Sequence, residues 1–357
     1  MGLAEAALQR AMRRALALAE RGPRRDPNPR VGCVILDAAG AVVAEGWHRG
    51  SGTPHAEVAA LTALPERLRE PSAAAGLTLV ASLEPCTHHG RTGPCARAII
   101  DAGIGAVAYA STDPSPRAGG GGDMLRAAGV EVVAGLSREA ADGLNEAWLT
   151  AERLGRPHVT IKWAQSLDGM AAAADGTSMW ITGPEARADV HARRARADAI
   201  AVGIGTVLAD DPALTARTPD GGLAPEQPVP VVFGHRSVPE NARLARHPEP
   251  LLRFDGEDLA GALAELRQLG LHSVFVEGGP RLAGAFLDAG LADEVLVYVA
   301  PVLLGAGRPA LAGLKVATLA EGRRLVWIGH ERLGEDWRLT ATPAPGSPAP
   351  RAPGKES

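Results

Sequence analysis

Four side chains in the first third of the sequence carry its strongest chemical signal: His55, Glu57, Cys86 and Cys95. One imidazole and two thiols are the ligand set of an open catalytic zinc site, with three protein ligands and a fourth position left for water. Glu57 lies two residues from His55. It is too close to chelate comfortably beside that ligand, and well placed to serve the bound water. Taken singly, these are weak signals, because a lone Cys is usually a small buried hydrophobe and a lone His is usually satisfied in a core. The combination is much rarer. Each Cys stands beside a proline, and His55-Ala56-Glu57 opens a helix-like run through Val58, Ala59 and Leu61.

The pattern resembles the H-x-E…P-C-x-x-C signature of zinc nucleobase deaminases. In that chemistry the metal lowers the pKa of its water toward neutrality. A carboxylate that does not ligate the metal takes the water's proton and passes it to the ring nitrogen and the departing ammonia. Here the second half is stretched, with eight residues between Cys86 and Cys95 in place of two. The insert, THHGRTGP, brings His88, His89 and Arg91, a cationic group suited to a phosphate on the substrate. A solvated loop is the plain alternative.

Composition bounds what must position these groups. A chain of 357 residues with 46% hydrophobic content suggests two domains, each able to bury a core. The net charge of −4 leaves no global footprint for nucleic acid. Three cysteines, two of them assigned to zinc, exclude a disulfide framework and fit a reducing cytoplasm. Cys33, within VGCVIL, reads as core. Neither a signal peptide nor a membrane span is visible, and LAEAALQRAMRRALALAERG reads as an amphipathic helix packed on a core. Lysine occurs only at positions 162, 315 and 355. Lys162 lies inside the apolar strand HVTIKWAQS, which makes it a candidate for chemistry or for a structural ion pair.

VGCVILD and AGAVVAEGWH read as a hairpin, and GSGTP then delivers the chain to a helix from about His55 to Leu64. LTLVASLE is a strand leading to EPC, and a helix follows from Pro94 to Ala102. Both cysteines read as helix starts, where the dipole favours thiolate. AVAYAST, GDMLRAAG and EVVAG continue the alternation, and SREAADGLNEAWLTAERLG reads as one long helix. The expected architecture is a three-layer α/β sandwich over residues 1–150 with a boundary near Gly155. A second α/β domain follows over residues 156–342, and a Pro/Ala/Ser-rich tail over 343–357 reads as disordered. The second domain lacks G-x-G-x-x-G after its first strand, which argues against an ordinary Rossmann site. Two other strand–Gly–helix junctions, VGIGT and VEGGPRLAGA, can offer backbone N–H groups to a phosphate.

At this point a family resemblance is plain. PNPRVGCVI, HAE and EPCTHHGRTGPC resemble the deaminase half of the bifunctional riboflavin-biosynthesis deaminase–reductases. The extended Cys spacing separates that family from tRNA adenosine and cytidine deaminases. KWAQSLDG, SMWITG, RARADAIAVGIGTVLADDPALTAR and VEGGPRLAGAFL resemble the reductase half. The resemblance runs over about residues 3 to 340, with both halves in the expected order. It implies a cytidine-deaminase-like sandwich followed by a dihydrofolate-reductase-like α/β domain, with Zn2+ and NADPH as cofactors. The implied reactions are zinc-dependent deamination of 2,5-diamino-6-(5-phosphoribosylamino)pyrimidin-4-one and hydride transfer from NADPH to the ribose C1′, opening the sugar to a ribityl chain.

Carried over position by position, the resemblance implies zinc ligands at His55, Cys86 and Cys95 and a proton carrier at Glu57. It implies contacts with the first substrate at Asn28, His48, His88 and Arg91, and with the second at Ser178, Arg194, Leu214, Arg217 and Glu277. Arg194 and Arg217 would clamp the ribose phosphate. NADPH contacts are implied at Ala164, Trp180, Thr206, Asp210 and a turn of Gly279, Pro280, Arg281, Leu282, Ala283, Gly284 and Ala285. Lys162 and Asp210 are candidates for polarising or protonating the sugar. Two departures stand out. DPSP, beginning at Asp113, replaces the family's D-P-N-P, and Phe233-Gly234 stand where the family more often has an Asp-Ser pair contacting the cofactor. The expected partner is a phosphorylated pyrimidine, with no nucleic acid and no membrane; apolar strand edges in the second half permit a homo-oligomer. Two competing readings are a nucleoside or nucleic-acid deaminase with an unrelated C-terminal domain, and a zinc-stabilised binding module taking a fourth ligand from His48, His88 or His89.

Overall fold

The segments GCVIL, TLVASL and AVAYAS are buried at every position, as expected of central strands covered on both faces. In the computed structural model, which describes residues 3–88, 93–115, 118–178 and 181–344, they form the middle of a five-stranded sheet. The chain divides into two compact units, Met1–Gly155 and Arg156–Ser357. The elements of the first are α1 (Glu5–Ala19), β1 (Gly32–Leu36), β2 (Val42–Trp47), α2 (Ala56–Ala63), α3 (Pro71–Ala74), β3 (Thr78–Leu83), α4 (Cys95–Asp101), β4 (Ala106–Ser111), α5 (Gly121–Ala127), β5 (Glu131–Ala134), α6 (Arg138–Leu144) and α7 (Glu146–Leu154). The strand order is β2-β1-β3-β4-β5. β1 is antiparallel to both its neighbours, and β3, β4 and β5 run parallel.

Strand alternation sorts this core into two layers. Cys33, Ile35, Leu79 and Val107 face α2 and α4 through Ala60 and Ile99. Val34, Leu36, Val80 and Ala108 face α1 and α6 through Met12, Leu18 and Ala141. The three-layer sandwich is therefore present, and Cys33 is core. The long C-terminal helix is instead two helices, broken at Asn145. Its buried side-chain Oδ1 accepts from Arg30 N at 3.0 Å, while Nδ2 donates to Arg30 O at 2.9 Å. That pairing satisfies both main-chain groups of Arg30. Trp148 Nε1 adds a bond to Pro27 O at 3.3 Å, so α7 pins the turn that carries Asn28.

The second unit contains β6 (His158–Ser166), β7 (Met170–Ala172), α8 (Pro184–Arg194), β8 (Ala199–Gly203), α9 (Ile204–Asp210), β9 (Val229–Phe233), β10 (Leu252–Phe254), α10 (Leu259–Gln268), β11 (Ser273–Val276), α11 (Pro280–Asp288), β12 (Glu294–Ala300), β13 (Arg308–Pro309), β14 (Leu325–Leu333) and β15 (Asp336–Pro343). Its main sheet has the order β10-β9-β8-β11-β6-β12-β15-β14. Six strands are parallel from β10 to β12, and β15 and β14 close the sheet as an antiparallel hairpin. α10 and α11 cover one face through Leu263, Leu266 and Phe286. α8 and α9 cover the other through Ala186, Val190 and Val207. Pro343, expected to begin the disordered tail, still pairs with Leu325 in the hairpin; residues 345–357 lie outside the described residues. Among the described residues no helix is long and apolar enough to cross a membrane.

One glycine fixes where α2 sits. A Cβ on Gly46 of β2 would lie 2.4 Å from both Ala56 O and Ala60 N of α2, so the helix that carries Glu57 rests directly on strand backbone. Gly46→Ala is expected to destabilise the first unit by about 1–3 kcal/mol or more. Thermal melting of the full chain with zinc checks this, and a melting temperature unchanged from wild type would contradict the close seat.

Candidate active sites

His55 is the N-cap of α2, and Glu57 lies in that helix's first turn, only 4% exposed. Cys95 is the first residue of α4, as expected, but Cys86 is not at a helix start. It lies in the extended segment after β3, held by bonds of the neighbouring main chain: Glu84 N to Ser111 O at 2.8 Å and Thr87 N to Ala118 O at 2.9 Å. The buried Glu84 carboxylate adds two more, accepting from Asp113 N at 3.1 Å and Gly122 N at 2.9 Å. The two cysteine segments close on each other through Ala96 N to Cys86 O at 3.1 Å and Cys95 N to Cys86 Sγ at 3.5 Å.

This brings His55 Nδ1 to 3.6 Å from Cys86 Sγ and 3.3 Å from Cys95 Sγ, with all three donor atoms within 4.8 Å of one another. A tetrahedral zinc bonded at about 2.3 Å to sulfur and about 2.1 Å to nitrogen sets such pairs about 3.6 Å apart. The donor set fits zinc. The hydrogen bond with Cys95 holds the Cys86 thiol well below the usual thiol range. The same pairing and burial push Cys95 up. Burial, reinforced by the Cys86 charge, lifts Glu57 to about 7.

Asn28, His48 and His88 line the same cavity as His55, Glu57 and Cys86. Asn28 Nδ2 lies 3.3 Å from His48 Nε2, and His48 Nδ1 lies 3.2 Å from Pro54 O. Both ring nitrogens of His48 are therefore engaged, which argues against it as a fourth metal ligand. The half-buried His88 leaves Nδ1 without a partner among the described residues. His89 and Arg91 lie outside the described residues. The cavity also takes in Asp113, Trp148 and Glu152, which sequence reasoning did not single out as site residues. Burial raises Asp113 to about 6. The DPSP motif was the one signal that could have pointed to it.

In the second unit, both strand–Gly–helix junctions stand at the C-terminal ends of adjacent parallel strands, β8 and β11. A Cβ on Gly279 would meet Thr206 Oγ1 at 3.2 Å, so the fold brings together Thr206 and the Gly279 turn. The open backbone there suits the close approach of a nucleotide. Not all of the turn faces that way. Ala283 is in the core, and a Cβ on Gly284 would lie 2.0 Å from Ala312 O, so neither presents a side chain to a cofactor. Leu214 is also a core residue, packed with Ile200, Val202 and Leu244 at a left-handed φ of 52°. It can meet a substrate only through its backbone. Ser178 is exposed beyond β7, and Ala164 packs half-buried on β6 beneath α8. Trp180 lies outside the described residues.

Glu277, the residue after β11, gathers the cations. Arg194 Nε and Nη2 reach its carboxylate at 2.5 and 3.0 Å, and Lys162 Nζ stands 3.6 Å away. Burial alone would raise Glu277, but Arg194 and Lys162 hold it at about 2. Burial pushes Lys162 down, against the pull of Glu277. Arg194 Nη1 donates to Thr215 O at 3.2 Å, so its guanidinium is largely committed within the protein, whereas Arg217 is exposed. Asp210 is exposed at the C-terminal end of α9, and among the described residues no bond joins it to Lys162. Phe233 stacks with Phe254 at 5.6 Å and meets Phe286 edge-on at 5.7 Å. At Gly234, with φ of 130°, a Cβ would lie 2.4 Å from Ile204 Cγ2. The Phe-Gly departure thus fills the core and offers no polar side chain.

A zinc-binding deaminase sandwich followed by a nucleotide-binding α/β unit defines a two-part deaminase–reductase. Residues 6–111 match the cytidine and deoxycytidylate deaminase zinc-binding region, and residues 157–339 match the RibD C-terminal domain. The chain is 45% identical over 315 residues to riboflavin biosynthesis protein RibD of Mycobacterium tuberculosis, covering 88% of this chain and 91% of that protein. It is 41% identical to RibD of Escherichia coli, covering 85% and 90%. Acinetobacter baumannii RibD superposes with a TM-score of 0.82 at 36% identity, covering 96% of this chain and all of the other. The diaminohydroxyphosphoribosylaminopyrimidine deaminase/5-amino-6-(5-phosphoribosylamino)uracil reductase of Thermotoga maritima gives 0.80 at 32% identity, covering 95% and 99%. The chain belongs to the RibD family. The match of residues 157–339 to the RibD C-terminal domain does not favour the reading with an unrelated C-terminal domain.

The depressed pKa of Glu277 gives a signed expectation. Its stabilising contribution is fully present above the unfolded value of 4.5 and is lost as pH falls through about 2. At neutral pH, Glu277→Gln is expected to cost about 3–5 kcal/mol, because two partly buried cations lose their partner. Between pH 5 and 2 the gap between wild type and variant should narrow by about 3 kcal/mol. Denaturant melts of both proteins across that range check it, and a gap independent of pH would contradict the ion-pair assignment.

Proposed function

We infer that this chain catalyses two successive steps of riboflavin biosynthesis. The first unit deaminates 2,5-diamino-6-(5-phosphoribosylamino)pyrimidin-4-one, and the second reduces the ribosyl group of the product to ribityl. The observation that carries this reading is the His55–Cys86–Cys95 triangle with Glu57 buried beside it, on a chain that matches RibD proteins along nearly its whole length. Domains at residues 1–150 and 156–342 are the corresponding catalytic parts.

Zinc, when bound, supplies Lewis acidity that brings the pKa of a water toward neutrality, and NADPH, when bound, supplies a hydride. His55, Cys86 and Cys95 hold the metal and leave one position open. Glu57 is the proton carrier: burial raises its affinity for a proton, so it can take one from water and release it to the ring nitrogen and the leaving ammonia. Asn28 and His48, joined at 3.3 Å, orient the pyrimidine. The unpartnered nitrogen of His88, with Arg91, serves the phosphate.

In the second unit, Thr206 and the turn at Gly279 and Pro280 bind the cofactor, joined by Arg281, Leu282, Ala285, Ala164 and Trp180. Lys162, paired with Glu277 at 3.6 Å, is the group that protonates the opening sugar oxygen. Arg217, exposed and bonded through Nη1 only to the Gly221 carbonyl among the described residues, is better suited than Arg194 to the phosphate; Arg194 acts by holding Glu277. Ser178 and the backbone of Leu214 complete the substrate contacts. Asp210 keeps a role only at the edge of the cofactor site. The net charge of −4 supports a small-molecule substrate over nucleic acid, and three cysteines without a disulfide framework support a reducing cytoplasm. The exposed apolar residues Leu325, Val326, Trp327 and Ile328 of β14 support a homo-oligomer formed through the second unit.

Glu57→Gln is expected to retain about one zinc per chain and to lose deamination by at least about 100-fold, whereas Cys86→Ser loses the metal. Both should still oxidise NADPH when given the deaminated intermediate. Metal analysis, ammonia release and NADPH absorbance read these effects separately. Normal ammonia release from Glu57→Gln would remove that residue from its role.

A further inference from the structure

Lys162 is held from two sides, and only one of them is a charge. It projects from β6 beside β12, where Leu296 is its register partner and Tyr298 is the partner of Ala164. On one side stands the Glu277 carboxylate, 3.6 Å from Nζ. On the other lies the ring of Tyr298, whose centroid is 5.6 Å from Nζ, within the range of cation–π attraction. Tyr298 is completely buried. Its hydroxyl donates to Asp189 Oδ2 at 2.5 Å, and the same carboxylate accepts from Arg193 Nε at 3.0 Å and Arg338 Nη1 at 2.9 Å. Arg338 lies opposite Tyr298 on β15.

Helix α8 therefore supplies both clamps. Arg194, near its end, fixes Glu277, and Asp189, more than a turn earlier, fixes the phenol. A core position that needed only volume would be filled by an aliphatic side chain, without drawing a carboxylate and two guanidinium groups under the sheet's cover. We propose that Tyr298 is a positioning residue of the reductase, its ring face holding the Lys162 ammonium while the bond to Asp189 fixes the ring's tilt. This rests on the reading of Lys162 as the group that serves the sugar.

The device has a chemical logic. A second carboxylate beside Lys162 would bind the ammonium more strongly and make it a poorer proton donor. The negative face of an aromatic ring attracts the cation without offering a base to accept its proton. The charged groups facing Lys162 are Glu277 from just beyond β11 and Arg194 from α8; His191 of α8 acts on Glu277, and Asp189, Arg193 and Arg338 stand behind the ring. Burial pulls Lys162 toward the neutral amine, and the ring opposes that pull.

The sequence makes the test direct, because Lys162 is one of three lysines, with Lys315 and Lys355. In full-length protein carrying isotopically labelled lysine, NMR follows each ammonium group, and Lys162→Met assigns the relevant signal. Tyr298→Phe keeps the ring but frees its tilt from Asp189, and should lower the Lys162 midpoint by less than loss of the ring does. Tyr298→Leu removes the ring and should lower the midpoint by about one unit. The alkaline limb of the reductase kcat profile should fall with it, with KM for NADPH unchanged.

If the Leu variant does not fold, fluorinated tyrosine decides the question without a change of shape. The chain has two tyrosines, Tyr109 and Tyr298, so in a Tyr109→Phe background only Tyr298 carries the label. Successive fluorines weaken the ring face and should lower the Lys162 midpoint stepwise. A midpoint unmoved by ring removal or fluorination, or one shifted as far by Phe as by Leu, overturns the proposal. Full reductase turnover in Lys162→Met would overturn the role of Lys162 itself, an outcome that the titrations distinguish from failure of the ring contact.

Discussion

A carboxylate buried at the C-terminal end of a parallel strand is the constraint on which each unit depends. In the first unit it is Glu84, just beyond β3; in the second it is Glu277, just beyond β11. Neither can be left unsatisfied, since an unpaired buried carboxylate costs several kcal/mol. They are satisfied differently. Glu84 takes main-chain donors from Asp113 and Gly122, which ties the loop before α5 to the strand that delivers Cys86. Glu277 takes side-chain cations, which sets the charge of the pocket. The first carboxylate builds a loop geometry, and the second organises an electrostatic field.

This difference accounts for what could be read from the sequence. The metal site was legible because its ligands are rare residue types and their identities alone define a donor set. The layer order was legible because wholly apolar strands alternate with amphipathic helices. The break at Asn145 was not, since it is made by bonds to Arg30, far away in sequence, and nothing in the local helical pattern announces it. The position of Cys86 was misread for a similar reason. Proline next to cysteine suggests a helix start, but the bonds to Ser111 and Ala118 keep that segment extended.

In the second unit, residue types were read better than orientations. Leu214, Ala283 and Gly284, read by resemblance as substrate or cofactor contacts, turn toward the core or a neighbouring main chain. Arg194 and Arg217 look equivalent as sequence, yet one is committed to Glu277 and the other is exposed. Phe233-Gly234 departs from the family pattern because the strand end is packed between Phe254, Phe286 and Ile204. In each case a packing partner distant in sequence decides the direction in which a side chain points.

The closure between the cysteines separates two properties that a shorter motif would couple. Ala96 N bonds Cys86 O, and Cys95 N reaches Cys86 Sγ, so the span between the ligands is shut at its base. Lengthening a closed loop is cheap, about 0.6 kcal/mol for each doubling. Insertions and replacements beyond that base can therefore accumulate while the metal keeps its coordination. Descent with modification can explore new substrates at this loop without first losing the reaction.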